Sequence, residues 1–180
     1  MRRNDSWSNF LRLVDEAPLV AVREARINKS AKPFKPKTKL YMDLNQIKEL
    51  VDKALIADLD GSDVLASVPA EDLQKIYNGC GPEWLHARVR RILDKFLAVF
   101  APAFLQHDFD FSNGDGNPTL FNEANDRLER NCLILADREF PWYNWKRYIA
   151  RDAALVIADA CRQFGWSAYV EASKSKKGSL

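Results

Sequence analysis

The sequence predicts an all-α protein with one hydrophobic core, and three observations lead to this fold class. The chain has 180 residues, of which 47% are apolar and 29% charged, enough for one core and few for two. Apolar residues recur at i, i+3, i+4 and i+7 in several segments, which is the period of amphipathic helices. No long segment alternates apolar and polar residues, and only residues 167–172 suggest a short strand.

Composition divides the chain into three parts. Residues 1–41 are interpreted as an N-terminal helical arm that ends in a Lys/Pro linker, because Pro33 and Pro36 cannot continue a helix. Residues 42–172 are predicted to form the helical core, and residues 173–180 a basic tail. The net charge is only +2, and short basic runs are typical of solvated segments, so no specific nucleic acid is expected as a partner.

The cysteines and the N-terminus bear on location. Three cysteines, Cys80, Cys132 and Cys161, cannot all pair within one chain, which favours a reducing compartment. No stretch approaches the roughly 20 apolar residues of a membrane span. Asp15 and Glu16 interrupt the apolar residues near the N-terminus, so no signal peptide is predicted. The expected location is cytoplasmic.

The first half of the core contains clear helix signals. Asp43 and Gln46 have the spacing of a capping box, and Gly61 is expected to end the helix that they begin. A short helix is predicted from Pro69 to about Tyr77. An apolar stripe over 89–100 predicts the next helix, which Pro102 should stop or bend. We expect a further helix to begin near Ala103 and to hold His107 and Asp108.

Two more helices are predicted in the second half of the core. Residues 112–118 have turn chemistry, and Thr119 can cap the helix that follows. The inward stripe of that helix is Phe121, Ala124, Asn125, Leu128, Cys132 and Leu135. Pro141 separates it from a last long helix that ends at Gly165. The inward residues of this last helix are predicted to be Ile149, Ala153, Val156, Ile157, Ala160 and Phe164.

Three features could carry chemistry. The loop Tyr77–Pro82 is rich in glycine, which lets backbone carbonyls converge on a cation such as calcium, although a plain turn is the commoner use of Asn-Gly. His107 and Asp108 project about 100° apart on a helix, so the carboxylate could hold a metal while the imidazole takes a proton from water. A half-buried His beside an exposed Asp is the alternative. Asn125 points inward and needs a hydrogen-bond partner, for which a histidine ring nitrogen is suitable. Asp126, by contrast, falls on the solvent-exposed face of the helix.

These features together resemble phospholipase A2-like proteins. Tyr77, Gly79 and Gly81 match the Tyr-x-Gly-x-Gly calcium loop of that family, and His107-Asp108 matches its catalytic pair in the correct order. The loop sequence Tyr-Asn-Gly-Cys-Gly-Pro is also similar to short proteins of phages and prophages. The resemblance covers about residues 76–170 and implies a phospholipase A2-like core of antiparallel helices.

The resemblance also implies a function, which is calcium-dependent hydrolysis of phospholipid sn-2 esters at a membrane interface. Ca²⁺ would be held by the carbonyls of Tyr77, Gly79 and Gly81 and by the Asp108 carboxylate. His107 would be the general base, and Asn125 would orient its ring. A phage origin would allow a virion-associated location beside the cytoplasmic one.

Two departures from the family leave an alternative open. Asn125 stands where the family has Asp, and Phe111 stands where the secreted enzymes have Tyr. The alternative is a non-catalytic module of the same fold that binds a protein, through the arm or through exposed aromatics. The candidate aromatics are Trp142, Tyr143, Trp145, Tyr148 and Trp166. Most would be expected in the core, but joint exposure of Trp142 and Trp145 would indicate a contact surface.

Overall fold

Helices joined by turns account for the residues that the structure describes, which are 42–77 and 87–177, the side chains of 87–97 and 174–177 excepted. This computed structural model confirms the all-α prediction. Residues 42–77 and 93–177 belong to one compact unit, and residues 87–92 to a second. The predicted arm 1–41 and most of the Tyr77–Pro82 loop lie outside the described residues. Among the described helices, none is both long and apolar enough to cross a bilayer.

Residues 42–77 contain three helices: α1 (Leu44–Ile56), α2 (Ser62–Ala66) and α3 (Ala70–Ile76). The capping box is confirmed, since the Asp43 carboxylate accepts from the Gln46 N–H at 2.8 Å and the Gln46 amide accepts from the Asp43 N–H at 2.9 Å. The short helix after Pro69 is also confirmed. Gly61 does not end α1, because Asp58 already leaves the helix with a φ of 54°. Gly61, with a φ of 86°, instead occupies the N-cap position just before α2.

The helix that carries His107 is α4 (Ala87–Asn113), and it runs through Pro102 without a break. The prediction of a new helix near Ala103 was therefore wrong. Proline inside a helix removes one hydrogen bond and costs about 3 kcal/mol. Two facts offset this cost: Pro102 is buried, and Ala98, whose carbonyl loses its partner, is exposed to water.

The next helix is α5 (Pro118–Glu139), which carries Asn125. It runs antiparallel to the C-terminal part of α4, because His107 contacts Asn125 while Phe111 contacts Phe121. Asn117 caps this helix rather than the predicted Thr119, since the Asn117 side chain accepts from the Thr119 N–H at 2.8 Å. Pro118 then occupies the first helical position, where a missing N–H has no cost. The predicted inward stripe is confirmed, because all six of its residues are buried.

The last two helices are α6 (Trp145–Phe164) and α7 (Trp166–Lys177). Pro141 and Gly165 lie at the predicted boundaries of α6. Its inward face was predicted only in part, since Ala153 is buried but Val156 and Phe164 are exposed by 40% and 41%. The buried face consists of alanines, which allow α6 to pack closely on α5: Ala150, Ala153, Ala154 and Ala158. The short strand at 167–172 was also wrong, because helical spacing buries Tyr169 and Ser173 together.

Candidate active site around His107

His107 and Asn125 meet between α4 and α5. His107 Nε2 lies 3.2 Å from Asn125 Oδ1, and both side chains are buried, His107 with 7% of its surface exposed and Asn125 with none. The sequence predicted that Asn125 points inward, with a histidine ring nitrogen as a suitable partner, and the burial of Asn125 confirms its direction. Asp126, predicted on the wet face, is exposed and pairs with Arg162 on α6 at 2.8 Å.

The hydrogen bonds of Asn125 determine which ring nitrogen of His107 carries the proton. The Asn125 amide nitrogen donates to the carbonyl oxygen of Phe121 at 2.7 Å. The amide cannot be turned over, because its oxygen would then face that carbonyl oxygen. Asn125 Oδ1 must therefore accept from His107, so Nε2 carries the hydrogen. The neutral ring then has its lone pair on Nδ1, which is the form that accepts a proton or binds a metal.

Burial makes His107 a weak base. Removal of the ring from water lowers the pKa of His107 to about 4, against a smaller opposite effect of the Asn125 hydrogen bond. The ring is consequently neutral at pH 7. General-base catalysis is most efficient when the pKa lies near the working pH. A carboxylate in place of the Asn125 amide would move the pKa in that direction.

An aromatic cluster surrounds the ring. Phe111, one turn after His107, has its ring centroid 4.0 Å from the imidazole. Phe111 in turn contacts Phe121 and Tyr169, with centroids 5.7 and 5.2 Å away. Gly114 leaves the space for Tyr169, since a Cβ at this position would lie 2.2 Å from the tyrosine ring. Sequence reasoning missed Tyr169 because residues 167–172 were read as a strand, although Trp166, Tyr169 and Ser173 have helical spacing.

Asp108 faces a different neighbour from His107. Its side chain is half-buried. Burial of the Cys161 thiol on α6, together with the negative charge of Asp108, raises the pKa of Cys161 to about 11. Within residues 42–77 and 87–177, no three His, Cys, Asp or Glu side chains come together as a metal cluster. Calcium does not require one, because backbone carbonyls supply many of its ligands. Asp108 offers the hard carboxylate oxygens, and Tyr77 follows α3 in an extended conformation, while Gly79 and Gly81 lie outside the described residues.

A partly buried ion pair lies one turn from His107. Arg127 on α5 donates to both carboxylate oxygens of Asp110 on α4 at 2.9 Å, and its guanidinium lies 3.5 Å from the Asp60 carboxylate. Burial raises the pKa of Asp110, and the Arg127 charge opposes this. An open cleft of about 160 Å³ adjoins the pair. The cleft is not lined by His107, Asp108 or Asn125, and the sequence did not predict it.

Comparison of the chain with family models, with curated proteins and with solved structures found no match. The motifs of the sequence and the geometry around His107 are therefore the basis for a functional proposal.

Proposed function

We propose that this protein is a calcium-dependent hydrolase of phospholipid sn-2 esters, with His107 as its general base. The observation that supports the proposal most directly is the 3.2 Å contact between His107 Nε2 and Asn125 Oδ1. A ring fixed through Nε2 keeps Nδ1 unprotonated and in a constant direction, as a base that acts on water requires. Burial of both side chains supports the same role, since a buried pair stays in one arrangement.

Different groups of the chain would have separate roles in this reaction. His107 Nδ1 would take a proton from the attacking water, and Asn125 would hold the ring. The Asp108 carboxylate and the carbonyls of Tyr77, Gly79 and Gly81 would hold Ca²⁺, as the resemblance implies. When bound, calcium supplies the positive charge that polarises the ester carbonyl and stabilises the developing oxyanion.

The amide at position 125 predicts a slow enzyme and a gain-of-function variant. An amide cannot stabilise the imidazolium by charge, and loss of the corresponding carboxylate in serine proteases costs about 10⁴ in rate. We expect Asn125→Asp to raise the rate of hydrolysis by a factor between about 10 and 10⁴. Asp126→Asn is the matched control, because Asp126 is adjacent, exposed and turned away from His107.

The assay is fatty-acid release from vesicles of phosphatidylglycerol and phosphatidylethanolamine, in calcium and in chelator. The wild type and Asp126→Asn should release fatty acid only in calcium, Asn125→Asp should release it faster, and His107→Gln should release none. Release that persists in His107→Gln would contradict the role of this residue. No release from either the wild type or Asn125→Asp would refute the hydrolase.

A protein-binding module without catalysis is the second candidate function. The pKa of His107, about 4, favours it, since a base so weak is poorly suited to work at neutral pH. Its test is the melting temperature measured with calcium and with chelator, beside the vesicle assay. Equal melting temperatures together with no hydrolysis support the module, whereas a calcium-dependent rise contradicts it.

A further inference from the structure

The large apolar side chains with the greatest exposure among the described residues are concentrated in two short segments, the end of α1 and residues 142–148. They are Ile56, 76% exposed, Trp142 and Tyr143, both 74%, Trp145, 65%, and Tyr148, 64%. Every other large apolar side chain described is exposed by 52% or less. Soluble monomers rarely expose apolar side chains as a contiguous group, and such patches mark contact surfaces.

The two segments lie at one end of the helices, which we call the aromatic end and define by Ile56, Trp142, Tyr143, Trp145 and Tyr148. Arg138 joins them, because its guanidinium donates to the Ile56 carbonyl at 2.7 Å from the last turn of α5, just before the aromatic residues. Fourteen residues of α5 separate Asn125 from Glu139, which places the aromatic end about 21 Å from the His107 contact. The patch is therefore separate from the proposed active site.

Charge indicates what covers this surface. Residues 52–58 and 137–152 contain five cationic and five anionic side chains, so the net charge around the aromatic end is zero. An anionic membrane would gain no electrostatic attraction here, and neither would a strongly acidic or basic protein. A second copy of this chain fits, since charges of both signs can pair across a two-fold axis without net repulsion.

The exposed area is also sufficient for a weak dimer. A fully exposed aromatic side chain offers about 150–250 Å², so four that are about 70% exposed offer on the order of 550 Å². A stable interface of standard size buries about 800 Å² on each partner. The aromatic rings with Ile56 thus reach the lower end of specific interfaces. We propose that the aromatic end is the interface of a homodimer with a two-fold axis and a Kd on the order of 10–100 μM.

The test measures mass against concentration for the full chain, by sedimentation equilibrium from about 1 μM to about 1 mM, a range that brackets such a Kd. The wild type should double in mass over this range. Trp142→Ser/Tyr143→Ser should stay monomeric, with an unchanged circular dichroism spectrum because both side chains are exposed. Val64→Ser/Leu120→Ser is the matched control: it removes exposed apolar side chains elsewhere, 52% and 39% exposed, and should dimerise as the wild type does.

A charge variant keeps the aromatic side chains and tests the same interface. Glu139→Lys/Asp152→Lys gives both copies a positive surface, so it should weaken the dimer at least tenfold, and more at low salt. A wild type that remains monomeric to 1 mM overturns the proposal, as does a dimer that survives both patch variants. Binding of the wild-type monomer to phosphatidylcholine vesicles, lost in Trp142→Ser/Tyr143→Ser, would also overturn it and assign the surface to lipid.

Discussion

Acidification from neutral pH to about 4 should destabilise the folded protein through His107. In the unfolded chain this histidine takes up a proton near pH 6.5, whereas burial in the fold lowers its pKa to about 4. Between these two values the unfolded chain binds more protons than the folded one, so the free energy of unfolding falls as the pH falls. Well above pH 6.5 the ring is neutral in both states and does not affect the free energy of unfolding.

The size of this destabilisation follows from the affinity of His107 for a proton in the unfolded and in the folded state. The proton affinities of the unfolded and folded states differ by about 10^2.5, and each factor of ten corresponds to about 1.4 kcal/mol. At pH 4 the folded ring is half protonated, which leaves a loss of about 3 kcal/mol. That is a large part of the 5–15 kcal/mol that stabilises a typical domain.

Urea unfolding of the wild type and of His107→Gln, with chelator present, isolates this effect. Glutamine does not titrate, and its amide can still donate to Asn125. The stability of the wild type relative to the variant should therefore decrease by about 3 kcal/mol between pH 7 and pH 4. Asp110, whose pKa burial raises, titrates in both proteins and cancels. Equal changes of stability with pH in the two proteins, or a His107 imidazole that titrates near pH 6.5 by NMR, would refute the reasoning.

Two further substitutions test the packing around the candidate site. Gly114→Ala would place a Cβ 2.2 Å from the buried Tyr169 ring, so we expect a loss of about 1–3 kcal/mol in urea unfolding, and an unchanged midpoint would contradict the packing. Asn131→Ala should cost about 2 kcal/mol, because the buried Asn131 amide accepts from the Asp60 N–H at 2.9 Å and donates to the Asp60 carbonyl at 3.1 Å. Asn122→Ala on the exposed face of the same helix should change stability little, and equal losses would show that burial is not the cause.

Local signals in the sequence predicted much of the fold. The capping box at Asp43 depends on side chains three residues apart, and the stripe of α5 depends only on helical periodicity, so neither needs knowledge of the rest of the chain. Pro102 shows where such signals fail, because the local preference for a break is outweighed by burial of the surrounding helix. The prediction that Val156 and Phe164 point inward fails similarly, since hydrophobicity alone does not reveal that α6 packs through its alanines.

For the candidate site, the sequence by itself determined the motif types and the inward direction of Asn125, because helical phase is a property of adjacent residues. Only the tertiary structure decided that Asn125 meets His107 and that burial lowers the pKa of this ring, since both require α4 and α5 to pack. It also decided that the aromatics of 142–148 face outward, which composition cannot reveal. Contacts between segments depend on distances through space, and those are determined only when the helices pack together.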